Sequence, residues 1–333
     1  MPSIALFSFV VYLLLVASVA FLAYHYTKNL SDFVLGGRKL NGPVAALSSG
    51  ASDMSAWLLL ALPGAAFTFG MNQIWLPIGL VIGAYCNWRW VGAPLRVYTE
   101  MANDSLTVPA YLDNRFEDKS HAIRISSALA TLIFFAVYTA SGLVAGAMLL
   151  QRSFGLDFNT ALLSGTLIIM AYTFIGGFLA VSWTDFFQGI FMMCCLLILP
   201  VLIVIDLGGF GHVLQLLQAQ GNGFLHPTHG MTLLAFVNLM TWGLGYFGQP
   251  HILVRFMAVK GVKDIPVAGR IVVAWMSFAM VGAVAVGILG AAYFSAGQIN
   301  PESVFIEFSN VMFSPWISGM ILAAIMSSIM CAI

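Results

Sequence analysis

Charged side chains are scarce in this chain. Asp, Glu, Lys and Arg make up 8% of 333 residues, split into 13 basic and 13 acidic, so the formal net charge is zero. That balance leaves no basic surface for nucleic acid and no polybasic stretch for lipid headgroups. Cysteine is rarer still. Cys86, Cys194, Cys195 and Cys331 lie in apolar surroundings, without paired spacing or a His partner at metal-ligand distance. They read as packing residues, not as a disulfide framework or a metal site. Enzyme signatures are missing too: there are no paired carboxylates inside an apolar run, no His-Glu-x-x-His and no nucleophile elbow. Apolar residues take the space, at 60% of the chain with a mean hydropathy of +0.95. Several uncharged runs of about 20 residues can each cross a hydrocarbon core roughly 30 Å thick, so the chain is expected to be an all-α polytopic protein of the lipid bilayer.

Nine candidate spans follow, at about 4–24, 43–70, 73–95, 125–150, 161–180, 186–205, 231–257, 271–294 and 317–333. The first has no basic residue ahead of it and no small-residue cleavage pattern behind it, so it reads as a retained helix. If the spans alternate, every basic residue except Arg152 falls on one side. The positive-inside rule assigns that side to the cytoplasm, which puts the N-terminus outside a plasma membrane. Asp185 falls in the short connection expected between spans five and six and reads as a solvated interfacial carboxylate. The ninth span reaches the last residue without a charge, aromatic anchor or polar tail, so the chain is expected to be a truncated piece of a longer transporter.

One ionised side chain stands in the middle of an apolar run: Asp53, within Ser48-Ser49-Gly50-Ala51-Ser52-Asp53-Met54-Ser55-Ala56-Trp57. A carboxylate at the bilayer centre costs roughly 2.5–3.5 kcal/mol, and among Gly, Ser and Ala it points to an ion or substrate site. Span two continues into Pro63-Gly64, and span seven carries Trp242-Gly243-Leu244-Gly245-Tyr246-Phe247-Gly248-Gln249-Pro250. Such interruptions free backbone groups that only a protein-lined cavity can satisfy at that depth. Spans two and seven stand five apart and so cross in opposite directions, as a five-helix inverted repeat requires. Residues 1–333 then form a single domain: an extra N-terminal helix at 4–24, a first repeat at 43–205 and an incomplete second repeat at 231–333. Gly243, Gly245 and Gly248 also match the spacing of a dinucleotide-binding loop, but that motif needs a preceding strand in a soluble unit.

An unwound helix offers carbonyl oxygens to a hard monovalent cation, and hydroxyls complete the shell. Ala324, Ser327 and Ser328 share one helical face and suit that role; back-bonding of the serines to their own helix is the alternative. Trp242 and Tyr246 share a face if locally helical, and Tyr138 with Ser141 and Gly142 marks a polar notch in span four. Aromatic walls of this kind can hold a small ring or an ammonium group.

Leu35-Gly36-Gly37-Arg38, Gly50-Ala51-Ser52-Asp53-Met54-Ser55, the run Phe174 through Asp185, Trp242 through His251 and Arg255-Phe256-Met257 resemble the sodium/solute symporter family. The likeness extends from the first span to the last residue. It implies a leucine-transporter-like fold, alternating access, and sodium as coupling ion with no other cofactor. It implies sodium held by carbonyls of Ala51 and Met54 with Ala324, Ser327 and Ser328, and Asp53 required for sodium-dependent uptake. It also implies L-proline as solute, in contact with Ser55, Ala56, Trp57, Tyr138, Trp242, Tyr246 and Pro250. The rivals are symport of a sugar, urea or pantothenate, and a membrane sensor on the same fold. Two departures stand out. Ala56 replaces the Gly of the proline pattern, and the stretch from Phe313 to Ser327-Ser328 is about four residues short. An ungapped match would put Cys331 and Ala332 at the hydroxyl positions instead.

Overall fold

The computed structural model describes the backbone of residues 2–331 apart from Asn222 and Ala296. Side chains are described except those of Pro2, Ser3, Ala5, Ala20, Tyr172, Ile175, Ala324 and residues 327–331. The described chain is helical, with no strand, and its one isolated bridge pairs Leu40 with Val259.

The helices, in order, are α1 (Pro2–Tyr26), α2 (Leu30–Leu35), α3 (Gly42–Met54), α4 (Ala61–Phe69), α5 (Trp75–Asn87), α6 (Ala93–Met101), α7 (Val108–Phe116) and α8 (Ala122–Phe154). There follow α9 (Phe158–Asp206), α10 (Phe210–Ala219), α11 (Leu233–Thr241), α12 (Pro250–Ala258), α13 (Ile265–Tyr293), α14 (Val304–Met312) and α15 (Pro315–Cys331). Their starts are written in the sequence. Asn41 caps α3 by accepting from the Val44 amide, Thr107 caps α7 from Ala110, and Thr232 caps α11 from Ala235. In each, a side-chain oxygen satisfies one of the amides that a first helical turn leaves open.

Helix α13 is the central post, buried along most of its length and packed against α3, α4, α5 and α9. Lipid tails are as apolar as these side chains, so helices associate here by close packing and small residues rather than by escape from water. Helix α8 lies at the rim, where Leu132, Phe134 and Val137 stay exposed.

Among the described residues, five stretches are long and apolar enough to cross a membrane by themselves: Leu6–Tyr26, Ala61–Met101, Ala122–Phe154, Gly176–Asp206 and Val262–Tyr293. Shorter apolar helices occupy Phe158–Ala171 and Leu233–Phe247. The interruptions divide what simple hydropathy reads as whole spans. One boundary differs from the sequence reading. Chain direction changes at Gly177, whose φ of 57° and ψ of −166° are non-helical, so Asp185 belongs to the interior of the helix that follows. Glycine is needed at that point, because φ is positive and a Cβ would stand 2.9 Å from the Phe33 ring.

Candidate functional site

Helix α3 ends at Met54 because Ser55 turns to φ 47°, ψ −153°, a conformation that L-residues rarely adopt. A residue held there costs of order 1–3 kcal/mol, and such strain gathers at functional sites. Ser55–Leu58 form a single 3-10 turn before α4 resumes at Ala61. Neither Gly50 nor Pro63-Gly64 makes this break, contrary to what composition suggests. Gly50 instead gives room to the Trp275 ring, 2.9 Å from where its Cβ would lie.

The second interruption follows α11, where Trp242–Phe247 tighten into a 3-10 segment. Gln249 is extended, and Pro250 opens α12 in its first turn. Proline suits that position because its missing amide would be unsatisfied there anyway.

These two interruptions meet. The Tyr246 hydroxyl donates to Asp53, and the Trp57 indole stacks over Trp242 with ring centres 6.3 Å apart and planes 26° from parallel. Between them and α8 lies a cavity of about 370 Å³. Asp53, Met54, Ser55, Ala56, Trp57, Tyr138 and Trp242 line it, as do Ser141 and Gly142 of the polar notch. Tyr246 is buried beside it. Pro250 stands at the start of α12, outside the lining. Ala51 is buried one turn back in α3, and its carbonyl accepts from the Ser55 amide. Helix α15, which carries Ala324, Ser327 and Ser328, packs against Ser55–Leu58 and α3. The side chains of those three lie outside the described residues.

Several residues of the site escaped the sequence reading. Gln249 and Glu302 also line the cavity. The His251 ring stacks on Tyr138 at 6.0 Å and 15°, with Nε2 3.7 Å from an Asp53 oxygen. Both ring nitrogens of His251 and Oε1 of Gln249 are buried without a hydrogen-bond partner among the described residues. Asn87 donates from Nδ2 to the Tyr246 carbonyl at 2.9 Å.

Asp185 requires the largest correction. It is completely buried, accepts from the Ser48 hydroxyl at 2.7 Å and stands 3.3 Å from Nη2 of Arg255. Arg255 also donates to the His251 carbonyl at 2.7 Å and lies 5.4 Å over the Phe178 ring. Asp53 is therefore not alone as an ionised group within the helices. The misplaced boundary after span five concealed this pair, because Ser182, Thr184 and Asp185 together look like a connection.

Two interrupted helices joined around a shared cavity are the architecture of discontinuous-helix transporter folds. The model of the sodium:solute symporter family matches residues 33–333, and the chain belongs to that family. It is 48% identical over 332 residues to the sodium/proline symporter of Escherichia coli (strain K12), covering 98% of this chain and 66% of that protein. It is 44% identical over 318 residues to the high-affinity proline transporter PutP of Bacillus subtilis (strain 168), covering 95% and 67%. A solved Na+-coupled sialic acid symporter, in a substrate-bound outward-open state, shares the fold with a TM-score of 0.85 at 18% identity, over 99% of this chain and 71% of that one. The chain thus spans about two thirds of the length of the curated relatives it matches, and it is an integral membrane protein.

Proposed function

We propose that the complete protein carries sodium and a small amino acid, L-proline, together into the cell by alternating access. The observation that carries this reading is the junction itself: Asp53 at the base of an aromatic-walled cavity where both helices are interrupted. A volume of about 370 Å³ suits a small solute. The stacked Trp57 and Trp242 offer flat faces to a pyrrolidine ring, and proline is the solute named for relatives at 44–48% identity. Among the described residues no Lys or Arg lines the cavity. Sodium then balances the charge of a substrate carboxylate in the cavity.

In this reading sodium sits against the carbonyls of Ala51 and Met54 and is completed by Ala324, Ser327 and Ser328 of α15. Substrate touches Ser55, Ala56, Trp57, Tyr138, Trp242, Tyr246 and Pro250. Asp53 supplies the negative field that draws the cation in. The five-helix inverted repeat begins at α3 and again at α11, with the N-terminus outside the plasma membrane. Coupling follows if sodium stabilises the outward-open state that binds solute well, because a ligand shifts an equilibrium only by its differential affinity.

Uptake of labelled L-proline by the complete protein in vesicles tests this. Uptake should require an inward sodium gradient, and Asp53→Asn should abolish most of it. Uptake indifferent to sodium, or full activity in Asp53→Asn, would overturn the reading.

A further inference from the structure

Helix α5 contains none of the residues that sequence or resemblance assigns to the site, yet it makes the tightest approach to the second interruption. A Cβ on Gly83 would stand 2.1 Å from the Gly243 carbonyl, and one on Gly79 would stand 2.4 Å from that of Met240. The two backbones touch. Residues 79, 83 and 87 repeat at i+4 and so share one helical face. The third is Asn87, which is wholly buried, and its Nδ2 donates to the Tyr246 carbonyl at 2.9 Å.

A 3-10 segment at membrane depth leaves carbonyls that need donors from elsewhere. Asn87 supplies one at the residue whose hydroxyl reaches Asp53. Tyr246 is thereby held at both ends, by α5 through its backbone and by the α3 interruption through its ring. The remaining amide oxygen, Oδ1 of Asn87, is buried without a partner among the described residues. Such an atom is costly to bury and offsets much of what the Nδ2 hydrogen bond contributes to stability. What the amide contributes is position rather than stability.

We infer that Asn87 is a positioning residue for the cation and solute site, fixing Tyr246 so that its hydroxyl meets Asp53. This rests on the sodium-coupled reading above for its effect on transport, but not for its geometry. Asn87→Leu fills the same space without a donor, and Asn87→Ala is the second variant should the first fold poorly. Each should raise the sodium concentration for half-maximal proline uptake by roughly tenfold while the maximal rate per folded molecule stays within about twofold. Tyr246→Phe should also raise that sodium concentration, and the Asn87→Leu/Tyr246→Phe double variant should raise it no further than the poorer single one, because both cut the same strut.

Hydrogen exchange over residues 242–249 of the complete protein, with neither sodium nor proline added, should quicken by about tenfold in Asn87→Leu. Effects on sodium dependence that simply multiply in the double variant would overturn the inference, as would unchanged exchange over 242–249. A wild-type protein whose uptake ignores sodium would instead refute the transport reading, and the exchange result would still decide the role of Asn87.

Discussion

Asp53 and Asp185 show how differently two buried carboxylates are read. Asp53 stands out because apolar sequence continues on both sides of the Gly, Ser and Ala stretch that holds it. Asp185 follows Ser182 and Thr184 and so looks like the end of a span, although its partners Ser48 and Arg255 lie 137 and 70 residues away in the chain. No local pattern announces contacts at such separation. Removing one member of a buried ion pair leaves a bare charge and costs about 3–5 kcal/mol, whereas replacing both by apolar groups is often neutral. Arg255→Leu should therefore sharply lower the melting temperature of the complete protein in detergent, and adding Asp185→Leu should recover most of the loss. A double variant as unstable as the single one would contradict this. Trp242→Ala removes one half of the aromatic stack, worth about 0.5–1.5 kcal/mol beyond area. The proline concentration for half-maximal uptake should rise by up to roughly tenfold, and an unchanged value would remove Trp242 from the solute wall.

The interrupted helices were legible as elements, because Gly, Ser and Pro crowd into two spans five apart. Their exact breaks were not. In α3 the turn is made by Ser55, a non-glycine residue at φ 47°, while the glycines that drew attention serve close packing. Ser55→Gly should leave thermal stability equal or higher by about 1 kcal/mol, since relief of strain opposes the extra freedom of an unfolded glycine. A marked loss would show that the turn is not strained. At the start of α8, the amides of Ile123 and Ser120 and the Ser120 hydroxyl hold the Asp118 carboxyl down at about 2. The folded value lies below the ordinary 3.8, so this contribution is complete above 3.8 and is lost as pH falls through 2. A carbon-13 titration of the Asp118 carboxyl should inflect near 2, and an inflection near 3.8 would contradict the capping role.

Over the full length, scarce charge and long apolar runs were enough to place the chain in a membrane. Composition could not say which helices lie inside the bundle. Helix α13 is enclosed and α8 is largely exposed although both are long and apolar, because the difference depends on the neighbours each one meets. The architecture is shared with a symporter only 18% identical in sequence, so packing geometry is retained where side chains are not. In the proposed reading sodium and solute share the cavity between the interruptions, and both must prefer the same conformation if they are to move together. Linkage then requires that each tighten the other by the same factor. Equilibrium binding of labelled L-proline to the complete protein, with and without saturating sodium, and of sodium with and without proline, measures this directly. The two affinity ratios should be equal and clearly greater than one, whereas proline binding unaltered by sodium would contradict a shared site at the junction of α3 and α11.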